Sequence, residues 1–133
     1  MIHRVLGIGR WVIDFLFAPK GYDIVGTLGC LYEIGATNEV MERAEDIMLE
    51  ELPNRGFTFT NPELKRAVVV IGPTTSGKEF QNTLVHEVRH LADTIAKSIG
   101  YKLDAEGPAY MSGDTVMALA DVICTLGCEH CNG

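Results

Sequence analysis

Two histidines four residues apart bracket a glutamate in this chain: His86-Glu87-Val88-Arg89-His90, an H-E-x-x-H pattern. On a helix, residues i and i+4 project from one face a turn apart, so both imidazoles reach one ion at about 2.0–2.1 Å. The glutamate between them stands beside the ion rather than on it, close enough to take a proton from a metal-held water. The chemistry on offer is zinc-assisted hydrolysis. A lone histidine is usually packing or surface, but here half of the chain's four histidines fall at ligand spacing around a carboxylate.

A tetrahedral catalytic zinc takes a third protein ligand and leaves one position open. Two histidines on one helix do not supply it. The downstream candidates are Asp104, Glu106, Asp114, Asp121 and His130. Glu106 is preferred: it lies sixteen residues after His90, at the start of a further expected helix, where a short loop through residues 100–105 folds it back onto the site. Tyr110 stands one turn on and has two readings of equal weight. It is a donor to the oxyanion of a tetrahedral intermediate, or a core tyrosine. The set predicts one zinc per chain.

H-E-x-x-H followed by a glutamate on a second helix resembles the gluzincin metallopeptidases, the thermolysin-like branch of the zincins. More closely, His86-Glu-Val-Arg-His-Leu followed by Glu106-Gly-Pro-Ala-Tyr110 is similar to short predicted zinc peptidases of bacteria and phages, which carry H-E-x-x-H and then E-x-x-A-Y. The close match covers residues 79–114, roughly a quarter of the chain. The resemblance implies a zincin-like fold, His86, His90 and Glu106 as ligands, and Glu87 as general base. It also implies that the strand at residues 67–71 runs near the cleft, where zincins pair an extended substrate with a sheet edge. Large gluzincins have an aspartate four residues after the ligand glutamate, as partner to a histidine; here that place is Tyr110, and Asp93 and Asp114 are the carboxylates left for the role. The chain also lacks the large substrate subdomain of those enzymes. A zincin-like binding or regulatory module with little or no turnover is the alternative to a peptidase.

Two other motifs compete. Gly72-Pro-Thr-Thr-Ser-Gly-Lys78 follows an apolar strand and opens a helix, as a phosphate-binding loop does. Such a loop needs Ser or Thr after its lysine to hold magnesium, and here Glu79 stands there, a carboxylate that would repel phosphate. The plainer reading is a turn in which Thr75 or Ser76 caps the helix. Cys124, Cys128, His130 and Cys131 are zinc-ligand types, but their spacing fits no standard ribbon or finger, so free thiols are expected rather than a second metal. Cys30, on an apolar helix face, reads as core.

The motif helix must itself be patterned, and it is. Phe80, Leu84, Val88, Leu91, Ile95 and Ile99 form one stripe, while His86, His90, Asp93 and Lys97 form another, so the histidines face away from the main apolar seam. That helix is expected over residues 76–99 and ends at Gly100. Ahead of it come an aromatic strand at 10–19, a helix at 22–35 with Ile24, Leu28, Leu31 and Ile34 on one side, and a helix capped by Thr37 or Asn38. Strands follow at 57–60, where Phe and Thr alternate, and at 67–71. A last helix is expected over 108–126. The whole is one α+β domain, residues 1–133: a short β-sheet packed on about four helices.

Length and composition agree with one domain: 133 residues, 47% of them apolar. A formal net charge of −7 argues against nucleic acid or an anionic membrane surface as partner. The partner implied by the peptidase resemblance is a peptide or protein substrate. Much of the excess falls on Glu39, Glu42, Glu45, Asp46, Glu50 and Glu51 around a lone Arg43, a solvated helix face. No leader and no run of roughly 18 apolar residues is evident, so a cytoplasmic location is expected. The oligomeric state is not legible.

Overall fold

Gly9 and Arg10 turn the chain back on itself, and this turn starts the sheet. Strand β1 (Ile2–Ile8) pairs antiparallel with β2 (Trp11–Phe17), Ile8 lying opposite Trp11. Gly9, at φ 59°, supplies the positive φ that a tight two-residue hairpin loop requires. The structure is a computed structural model and describes residues 1–98 together with Thr115 and Leu119. The β1 strand was not expected from sequence. Exposed residues dominate it, so its pattern is weak, and pairing with β2 is what makes it a strand.

After β2 come helices α1 (Ile24–Glu33) and α2 (Asn38–Glu50), then strands β3 (Gly56–Asn61) and β4 (Arg66–Ile71), then the long helix α3 (Gly77–Ser98). The four-stranded sheet has the order β1-β2-β4-β3. β2 and β4 are parallel neighbours in its centre, and β1 and β3 are its edges. The central pair is buried almost end to end, which is why both read as apolar runs.

Alternate residues of the central strands divide the core into two layers. Ile13, Phe15, Phe17, Ala67, Val69 and Ile71 pack with Phe80, Leu84, Val88, Leu91 and Ile95 of α3. Leu16, Val68 and Val70 pack with Leu31, Ile34, Ala44 and Met48 of α1 and α2 on the opposite face. Local signals set the helix ends. Asp23 caps α1 through the Gly26 amide (2.9 Å), and Thr37, rather than Asn38, caps α2 through the Val40 amide (3.3 Å). α1 ends in paired bonds, Gly35 amide to Tyr32 carbonyl and Ala36 amide to Leu31 carbonyl, both 3.0 Å, with Gly35 at φ 82°. The acidic residues of α2 are exposed, as a solvated face should be.

The fold is thus α+β, with three helices among the described residues; the expected fourth, over 108–126, falls almost wholly outside them. Of the expected helix over 108–126, Thr115 and Leu119 are described. The Leu119 amide donates to the Thr115 carbonyl (3.2 Å), and Leu119 is buried in the α3 layer. Among the described residues no helix is long and apolar enough to cross a membrane.

Candidate metal centre

Ser76 starts the site-bearing helix: its hydroxyl accepts the Glu79 amide at 3.1 Å. From there the apolar stripe of α3 is pinned to the sheet, and Phe80, Leu84, Val88, Leu91 and Ile95 are each at most 2% exposed. Residue Ile99 of that stripe lies outside the described residues. Fixing the stripe fixes the rotation of the helix. His86 and His90 are thereby turned to solvent on one exposed face.

The two imidazoles meet edge to face, with ring centroids 4.6 Å apart and an interplanar angle of 86°. Their Nε2 atoms are 3.0 Å from each other. Two ring nitrogens this close repel unless a proton or a cation lies between them. Tetrahedral zinc at about 2.0–2.1 Å from each would hold the pair roughly 3.3 Å apart, so a small separation admits it. Neutral imidazole is also the right donor for zinc. The two described donors therefore fit the ion. Among the described residues no third His, Cys, Asp or Glu joins them. Glu106 and Tyr110 lie outside the described residues, as do Asp104, Asp114, Asp121, Cys124, Cys128, His130 and Cys131.

Glu87 takes the other direction. It is 7% exposed and points at the sheet, where its Oε1 accepts the Thr58 hydroxyl at 2.8 Å. Among the described residues Thr58 is the hydrogen-bond partner seen on this carboxylate. The carboxylate and the imidazoles thus leave adjacent sides of one helical turn, the base between helix and sheet and the nitrogens outside.

Sequence reasoning missed Thr58. The alternation Gly56-Phe57-Thr58-Phe59-Thr60 does sort the strand into a phenyl face and a Gly/Thr face. Phe57 and Phe59 join the α1–α2 layer, which leaves Gly56 and Thr58 toward α3. The strand at 67–71, expected near the cleft, packs against α3 but is interior, paired on both sides; among the described residues the edge strand beside α3 is β3.

Among the described residues Asp93 meets no histidine: its Oδ1 lies 3.0 Å from Arg89 Nε without a hydrogen bond, a Coulombic contact. His3, the remaining described histidine, ties β1 to β2 instead, with Nε2 2.7 Å from the buried Asp14, which Arg66 also meets at 3.0 Å.

Other concavities are built differently. A cavity of about 280 Å³ is lined by Lys20, Gly21, Tyr22, Ile24, Met48, Glu51 and Pro73, none of them on α3. Cys30 packs beside the α1–α2 core, as expected. Burial pushes its thiol pKa up, and Asp14, Glu33 and Asp23 push it further, so it is a poor nucleophile.

No family model matches the chain, and none of the curated proteins or solved structures compared with it matches.

Proposed function

We propose that this chain is a small zinc-dependent peptidase. The observation that carries the reading is two imidazole nitrogens 3.0 Å apart on one turn of α3, with the buried carboxylate of Glu87 leaving the adjacent side of the same turn. His86 and His90 would hold the ion, with Glu106 as the third ligand. Zinc bound there would polarise the scissile carbonyl and lower the pKa of a coordinated water to near neutrality. Glu87 takes the proton of the attacking water and delivers it to the departing amine nitrogen, so one carboxylate serves as base and then as acid. Among the described residues the outer edge of β3 is unpaired, and an extended peptide docked there would continue the sheet through its backbone amides and carbonyls. Tyr110 is the proposed donor to the oxyanion.

The test separates ligand from base. Zinc-loaded chain is incubated with a proteome-derived peptide mixture and cleavage is read by mass spectrometry. Glu87→Gln should keep zinc and lose about 10²–10⁴-fold or more in rate. Glu106→Ala should lose zinc and activity together. A wild type that binds zinc and cuts nothing supports the binding or regulatory module instead. Full zinc in Glu106→Ala moves the third ligand to Asp104, Asp114 or Asp121.

A further inference from the structure

We propose that Thr58, on the edge strand β3, is a positioning residue that aims Glu87; this rests on the peptidase reading. The terminal torsion of a glutamate is broad, so a carboxylate on a flexible stem presents its lone pairs in many directions. Here one oxygen is fixed. Thr58 Oγ1 donates to Glu87 Oε1 at 2.8 Å, across the gap between strand and helix. With that oxygen held, the plane of the carboxylate is set and the other oxygen is presented for proton transfer.

The local sequence makes room for this arrangement. A Cβ on Gly56 would lie 2.9 Å from Glu87 Cγ and 2.7 Å from the Val70 carbonyl oxygen, so the absence of a side chain there lets the glutamate stem pass over the strand. Phe57 and Phe59, partly buried, pack against the opposite layer, which leaves the Gly56–Thr58 face toward α3.

A purely structural role explains less. A carboxylate is costly to bury, and a leucine at position 87 would fill the same space at lower cost. During the reaction the Thr58 proton stays on its own oxygen. The proton in transit leaves the attacking water, rests on Glu87 and ends on the amine.

Thr58→Val is nearly isosteric and removes the donor, while Thr58→Ser keeps it. Two measurements on the full-length chain decide. In zinc-free protein, denaturation midpoints are compared for wild type, Thr58→Val, Glu87→Ala and the double variant. The midpoint shift caused by Thr58→Val should vanish in the Glu87→Ala background. In zinc-loaded protein, turnover is followed on the peptide that wild type cuts best in the proteome-derived mixture. Thr58→Val should lower kcat about tenfold or more with KM and zinc content unchanged, and Thr58→Ser should recover to within about threefold of wild type. Wild-type kcat in Thr58→Val, beside an inactive Glu87→Gln, overturns positioning and leaves the peptidase standing. Equal losses in the Val and Ser variants make the effect one of packing. A wild type that cuts nothing removes the peptidase and positioning with it, and an intact midpoint coupling then marks the contact as structural only.

Discussion

Glu87 and Tyr22 are two polar groups carried inward, and they are treated differently. The glutamate keeps a donor in Thr58. The Tyr22 hydroxyl is enclosed above Gly72, and among the described residues it has no hydrogen-bond partner. Burial raises its pKa, an effect the nearby Arg55 partly offsets, so the group stays neutral at physiological pH and gains nothing from ionisation. A buried hydroxyl without a partner costs about 1–3 kcal/mol of desolvation, and removing it removes that cost. Tyr22→Phe should therefore be at least as stable as wild type, by up to about 1 kcal/mol. Urea denaturation measures this directly. A loss of more than about 1 kcal/mol would show that the hydroxyl has a favourable interaction after all. Gly72 is fixed by the same contact, because a Cβ on it would overlap the tyrosine oxygen.

Among the elements, the turn between β4 and α3 is where motif and structure part. Its spacing suggests phosphate binding, yet several of its groups are already occupied. The Thr75 amide donates to Asn54 Oδ1 at 2.9 Å, the Asn54 side chain donates back to Thr75 Oγ1 at 3.0 Å, and Ser76 takes the Glu79 amide. A phosphate needs several free amides aimed at one point, with a hydroxyl for magnesium. Calorimetry with Mg-ATP should give no measurable heat of binding. Micromolar affinity abolished by Lys78→Ala would restore the phosphate-loop reading. The same elements show what was legible in the sequence. α3 was, because 22 residues of 3.6-fold periodicity allow few alternatives, and β2 and β4 were, because unbroken apolar runs suit a sheet covered on both faces. β1 was not, since its identity comes from its partner. Nor was Thr58 as a site residue: the Phe/Thr alternation was plain, but which of its faces meets α3 depends on the sheet order, a non-local fact. For the same reason it was not legible that, among the described residues, β3 rather than β4 is the edge strand beside α3.

At the scale of the whole molecule, the metal should be a passenger of the fold rather than its foundation. Small zinc domains that lack a core unfold when the ion is stripped. Here α3 is held by five large side chains, Phe80, Leu84, Val88, Leu91 and Ile95, all at most 2% exposed. At about 1.5–3 kcal/mol each, they supply on the order of 10 kcal/mol before any ion binds. The histidines sit outside that seam, on the exposed side. Three results follow. Chelator-treated protein should keep its far-UV circular dichroism. Added zinc should bind at about one per chain and raise Tm, since an ion that binds only the folded state at a hundredfold excess over Kd adds about 2.7 kcal/mol. For a domain of this size that is a rise of roughly 10 °C. His86→Ala should abolish the rise while changing the metal-free Tm little, because substitutions at exposed positions usually fall within about 0.5 kcal/mol. A metal-free chain with a random-coil spectrum would make the zinc structural and remove the physical basis for an open catalytic position. More than one zinc per chain, falling to one on Cys128→Ser, would bring the C-terminal cysteines back as a second centre. A zinc-induced rise that survives both His86→Ala and His90→Ala would place the ion away from α3 altogether.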